Sequence, residues 1–104
     1  MKLVAESVET IRIPISAAQA GALIDPSNSG ARTVGVALSA QGTYPALFPI
    51  GGAWEVNPAG TLHWLVFVAP GNLVRGTRYI VRAQLSAYQG DSPILEAQQF
   101  IDAI

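Results

Sequence analysis

Thr77-Arg78-Tyr79-Ile80-Val81-Arg82-Ala83-Gln84-Leu85-Ser86-Ala87 is the most regular stretch of the chain, and its period is two. Tyr79, Val81, Ala83 and Leu85 form one side; Ile80, Arg82, Gln84 and Ser86 form the other. Successive side chains of a strand point to opposite faces, so this spacing predicts a β-strand with Tyr79 and its companions turned inward.

The same rhythm runs outward in both directions. Ile11, Ile13 and Ile15 alternate with Thr10, Arg12 and Pro14, as in a half-buried strand. Pro14 has no N–H to give to a ladder, which predicts an edge position or a break. Thr33 to Ala40 places Val34, Val36, Leu38 and Ala40 on one face. Trp54 to Val56 reads as a short strand, stopped by Asn57-Pro58-Ala59-Gly60. In the most apolar strand, Leu62 to Ala69, the residues Leu62, Trp64, Val66 and Val68 face one way, and His63, Leu65 and Phe67 the other. Apolar residues on both faces predict a central strand, or a strand whose second face meets a partner. Leu95 to Ile104 is the last strand.

Between these lie turns: Asp25-Pro26-Ser27-Asn28-Ser29-Gly30, Pro70-Gly71-Asn72 and Gln89 to Pro93. Ser16 to Leu23 is the one plausible helical turn, and Gly21 interrupts it. Gln41 to Gly52 reads as an irregular loop with apolar Leu47, Phe48 and Ile50. Such a loop either caps an open end or makes contacts. Six to seven short strands at intervals of roughly 8–12 residues define an all-β chain, a β-sandwich or a small barrel. With no internal repeat and no linker, residues 1–104 form a single domain.

Composition narrows the function classes. There are no cysteines, so disulfides, thiolate catalysis and zinc–thiolate sites are excluded. Six basic and seven acidic residues give a net charge of −1, without the basic excess of a nucleic-acid binder. Charged residues make up 12% of the chain, about half the usual share. Five of the basic residues are Arg and one is Lys. Interfaces favour Arg and are poor in Lys, so much of the surface reads as meant for covering. A mutational bias toward Arg gives the same ratio. No apolar run approaches the length of a membrane span. The N-terminus has Lys2, Glu6 and Glu9 without an apolar core, which predicts no signal peptide and assembly in the cytoplasm. The start at Met1 reads against excision from a larger enzyme.

No chemistry is assembled in the sequence. His63 lies between Leu62 and Trp64, and there is no nucleophile elbow. The acids are scattered, with no spacing that compels a carboxylate pair. Asp25 with Asn28, or Asp91 with Ser92, has calcium-ligand chemistry and equally ordinary turn chemistry. Gly51-Gly52 precedes neither a Lys nor a helix, so it is no phosphate cradle. Expected are no catalytic residue, no metal, no cofactor and no enzyme activity. Tyr44, Phe48, Trp54 and Tyr88 suit a core, a protein interface or a sugar platform.

Leu73-Val74-Arg75-Gly76-Thr77-Arg78-Tyr79-Ile80-Val81 resembles the approach to the penultimate strand of immunoglobulin-like and fibronectin type III sandwiches. There a tight Gly turn precedes a Tyr whose ring packs inward and whose hydroxyl bonds back to upstream backbone. The resemblance covers Trp54 to Leu85 and implies an Ig-like β-sandwich of antiparallel strands, with Leu73, Gly76 and Tyr79 as the structural corner and Trp64 as the core aromatic. The cysteine pair of antibody domains is absent. The Trp, the alternating strand and the Leu-x-x-Gly-x-x-Tyr-x-Val pattern also resemble small β-sandwich structural proteins of tailed bacteriophages. That resemblance implies a virion protein assembled in the host cytoplasm, for head decoration, head–tail connection or tail attachment. Its partners would be other virion subunits, met in many copies, with no nucleic acid and no membrane. The expected partner interface is Tyr44, Leu47, Phe48, Ile50, Arg78 and Arg82. A carbohydrate- or surface-binding module using the loop aromatics is the alternative.

Overall fold

The computed structural model describes residues 1–16, 32–40, 42–43, 48–85 and 94–104. Seven strands lie among them: β1 (Lys2–Leu3), β2 (Thr10–Ile15), β3 (Arg32–Ala40), β4 (Ile50–Val56), β5 (His63–Val68), β6 (Arg78–Leu85) and β7 (Ile94–Ala103). No helix occurs among the described residues. Most of the predicted helical turn at 16–23 lies outside them.

The strands form one sheet in the order β1-β7-β6-β3-β4-β5-β2. Every pairing is antiparallel except β1 with β7, which is parallel, so the sheet is mixed and not wholly antiparallel as expected. The sequence reading did not contain β1, because two residues carry no period.

The sheet must curl, and a chain-length argument shows why. Only Val4 to Glu9 connects β1 at one end of the order to β2 at the other. Leu3 and Thr10 are thus at most ~24 Å apart along an extended chain. A flat sheet of this order would separate its end strands by ~29 Å. The connection is also folded on itself, since Ser7 N donates to Val4 O at 2.9 Å. It is laced to the segment after β5, where Leu73 N donates to Ala5 O and Ala69 N to Glu9 O. The result is a half-barrel with its core inside the curl.

The inward residues follow the alternation. Ile11, Ile13 and Ile15 are buried in β2 while Thr10, Arg12 and Pro14 are exposed. β2 is at the end of the strand order, where a proline costs no central ladder bond. Ile13, Leu65 and Trp54 stand in one row across β2, β5 and β4, all essentially inaccessible. Val34, Val36, Val81 and Ile101 meet them from the other half of the curl.

Two expectations change, and one feature of β3 is new. The core tryptophan is Trp54, not Trp64: Leu65 and Phe67 are the inward residues of β5, which turns Trp64 outward. Ile50, Gly51 and Gly52 belong to β4 and not to a loop, because they pair with Val36, Gly35 and Val34. On β3 both faces are covered, since Ala37 and Ser39 are as inaccessible as Val34 and Val36.

Candidate functional site

The corner before β6 is built from Gly76 and Tyr79. Gly76 has φ +82°, a left-handed conformation that favours glycine. Its N–H donates to Ala103 O at 2.8 Å, tying the turn to β7. The Tyr79 ring is in the core and its hydroxyl accepts a hydrogen bond from Val74 N at 2.8 Å. Leu73 is half-buried against the core. The three corner residues therefore come together.

Beside this corner is a cleft of about 380 Å³ lined by Leu38, Pro49, Ile50, Pro70, Asn72, Leu73 and Tyr79. Its walls are mainly apolar. The Tyr79 hydroxyl there already accepts from backbone. Nothing lining it pairs a nucleophile with a base.

The expected interface residues separate. Tyr44 and Leu47 lie outside the described residues. Ile50 is half-buried against the core and belongs to the cleft. Phe48 is on the opposite side of the sheet, over Gly35, where a Cβ would come within 2.8 Å of the Phe48 Cβ. Glycine at 35 is what lets the ring approach. The Arg82 guanidinium lies 5.8 Å from the Phe48 ring centre. Further along the same outward face, Arg78 is 5.3 Å from the Phe100 ring and bonds Asp102 through Nε at 2.8 Å and Nη2 at 3.4 Å. The Arg78 hydrogen bond holds the Asp102 carboxyl below the usual range, and Asp102 raises Arg78 in return. Phe48, Arg78 and Arg82 thus share a face, and Ile50 does not.

A third arginine–aromatic group was missed by sequence reasoning. Arg12 of β2 lies over Trp64 of β5 at 4.1 Å and reaches Glu55 of β4 at 3.3 Å. The outward parity of Arg12 is legible in the sequence, and that of Trp64 is not, because both faces of its strand are apolar. That β2 and β4 flank β5 is not.

His63 has a structural role in this arrangement. Its Nδ1 accepts a hydrogen bond from Trp54 Nε1 at 3.2 Å, and the rings meet edge to face at 6.2 Å. That bond needs Nδ1 without a proton, so the neutral imidazole carries its proton on Nε2. Among the described residues no group of three or more His, Asp or Glu could hold a metal ion. Asp25, Asn28, Asp91 and Ser92 lie outside them. Among the described residues, too, no helix is long and apolar enough to cross a membrane.

Fold and site together define an all-β chain with a curled, mixed seven-stranded sheet that presents arginine–aromatic pairs on its outer faces. No family model, no curated protein and no solved structure matches the chain.

Proposed function

We propose that this chain is an Ig-like β-sandwich serving as a non-enzymatic structural protein of a tailed-bacteriophage particle. It docks on neighbouring head, connector or tail subunits, in many copies, after assembly in the host cytoplasm.

Two features support the Ig-like reading. β2 pairs with β5 and β3 with β6, the crossed pairing of a Greek-key sandwich. The hydrogen bond from Val74 N to the Tyr79 hydroxyl has the form of a tyrosine corner.

The observation that carries the docking reading is the outer surface. Arginines stack on rings at Trp64, Phe100 and Phe48, in a chain with 12% charged residues. Arg and aromatic residues mark interface centres, while monomer surfaces favour Lys and Glu. The phage assignment is supported by the pattern Leu73-x-x-Gly76-x-x-Tyr79-x-Val81. A sugar platform needs bare rings. Of the aromatics named for that platform, Trp54 is buried in the core and Phe48 carries Arg82 on its face, which disfavours that alternative.

The test is co-elution of the purified chain with the products of its flanking genes, read by size exclusion with light scattering. Association with a portal, capsid or tail subunit is expected. A clean monomer that ignores such subunits and is retained on a glycan column would falsify the reading.

A further inference from the structure

We propose that the outer face of β2, β5 and β4 is a self-docking surface whose partner is a second copy of this chain, related by a twofold axis. The inference rests on the assembly reading above and names one partner for it.

The outer face at the middle of β3 and β6 is treated differently from that of β2, β5 and β4. Around β3 and β6, Ala37 and Ile80 point away from the core, yet the chain buries them to 1% and 5% exposure. On the β2–β5–β4 face, Val68 remains 52% exposed. This second face is finished in its polar contacts and unfinished in its apolar ones.

Register sets its composition. Pro14, Trp64 and Glu55 form one row, and Arg12, Val66 and Ala53 the next. The apolar strip along β5 is therefore flanked by one cation from β2 and one anion from β4, each about half exposed. A twofold contact places the same patch against itself. With the twofold axis parallel to β5, a patch with one charge of each sign on opposite flanks is complementary to its own copy, since rotation then brings each Arg12 toward the other copy's Glu55. A polyanion or a strongly basic partner would instead meet one matched and one opposed charge.

Size sets the strength. Two strands of six residues and one of seven present roughly 200–300 Å² of sheet. A stable complex buries about 800 Å² per partner. The pair alone is therefore weak and gains its strength from repetition in an assembly.

The experiment is sedimentation of the whole chain from micromolar to millimolar concentration, with amide chemical shifts followed over the same range. We expect a monomer–dimer equilibrium, with shifts confined to β2, β5 and the second half of β4. Trp64→Lys and Val68→Lys should remain monomeric with wild-type circular dichroism. Arg12→Glu and Glu55→Arg should each weaken dimerisation about tenfold, and the double reversal should restore it. If Trp64→Lys does not fold, Val68→Lys decides, because it changes an exposed position. A wild-type chain monomeric at millimolar concentration, or a Val68→Lys chain that dimerises as well as wild type, overturns the inference. Either failure is separable from failure of the assembly reading, because co-elution with flanking gene products does not require self-association.

Discussion

Tyr79 is where one side chain does two jobs. Its ring fills the core and its oxygen satisfies Val74 N across the turn. Tyr79→Phe keeps the ring and leaves that N–H without its partner, so urea titration should show a loss of about 1–2 kcal/mol. Tyr79→Ala removes the ring as well and should cost about 3–5 kcal/mol. His63 is a second such residue. With Trp54 buried and its indole N–H donating to His63 Nδ1, His63→Leu removes the acceptor. The same titration should register about 1–2 kcal/mol, and Trp fluorescence should report the altered ring environment. An unchanged midpoint for His63→Leu would show that the bond contributes nothing to stability. The role of Tyr79 was readable from a Gly turn three residues earlier. The partnership of His63 and Trp54 was not, because Val56 and His63 become neighbours only when β4 pairs with β5.

Among the elements, β1 shows how little sequence signal an important strand can carry. Its Leu3 is 2% exposed in the core, and its backbone closes the chain ends together, with Asp102 N donating to Met1 O and Ile104 N to Leu3 O. Leu3→Ala should therefore cost about 2–4 kcal/mol by denaturant titration, as for any buried leucine. A loss under half a kcal/mol would mean that β1 frays without consequence. β5 shows the opposite problem, too much signal. Both its faces are apolar, so alternation alone allowed either to be inward. Its neighbours decide: Ile11 and Ile13 of β2 align with Phe67 and Leu65, which sends Trp64 outward. β4 was read short because Gly51-Gly52 looks like loop chemistry. In the sheet those residues keep their pairing with β3.

At the scale of the whole molecule, the exposed ion pairs clamp distant parts of the chain and give stability a pH dependence. Arg75 bonds Glu6 at 2.6 Å across the end of the half-barrel, and Arg78 bonds Asp102 between β6 and β7. Each hydrogen bond pulls its carboxyl below the usual carboxylate range, with Arg75 acting on Glu6 and Arg78 on Asp102. A carboxyl depressed in the folded state binds fewer protons there than when unfolded, so stability rises with pH through that range. The contribution is complete above the ordinary carboxylate range, near pH 4, and is lost as pH falls below it. Thermal melts should accordingly drop in midpoint on acidification below about pH 4. The double variant Glu6→Gln with Asp102→Asn should flatten that drop. Both pairs are exposed, so salt should shrink the effect as well.

Which residues share a face of each strand, where most of the turns fall and the poverty of charge are properties of the chain read along its length. They depend on a period of two and on the backbone preferences of Gly and Pro, which act over a few residues. Closure of the sheet decided the rest. The parallel docking of β1, the choice of Trp54 over Trp64 for the core, and the meeting of Arg12, Trp64 and Glu55 all depend on which strand lies beside which. That order is set by burying the most apolar surface within one curl, a sum over contacts far apart in sequence that no local pattern contains.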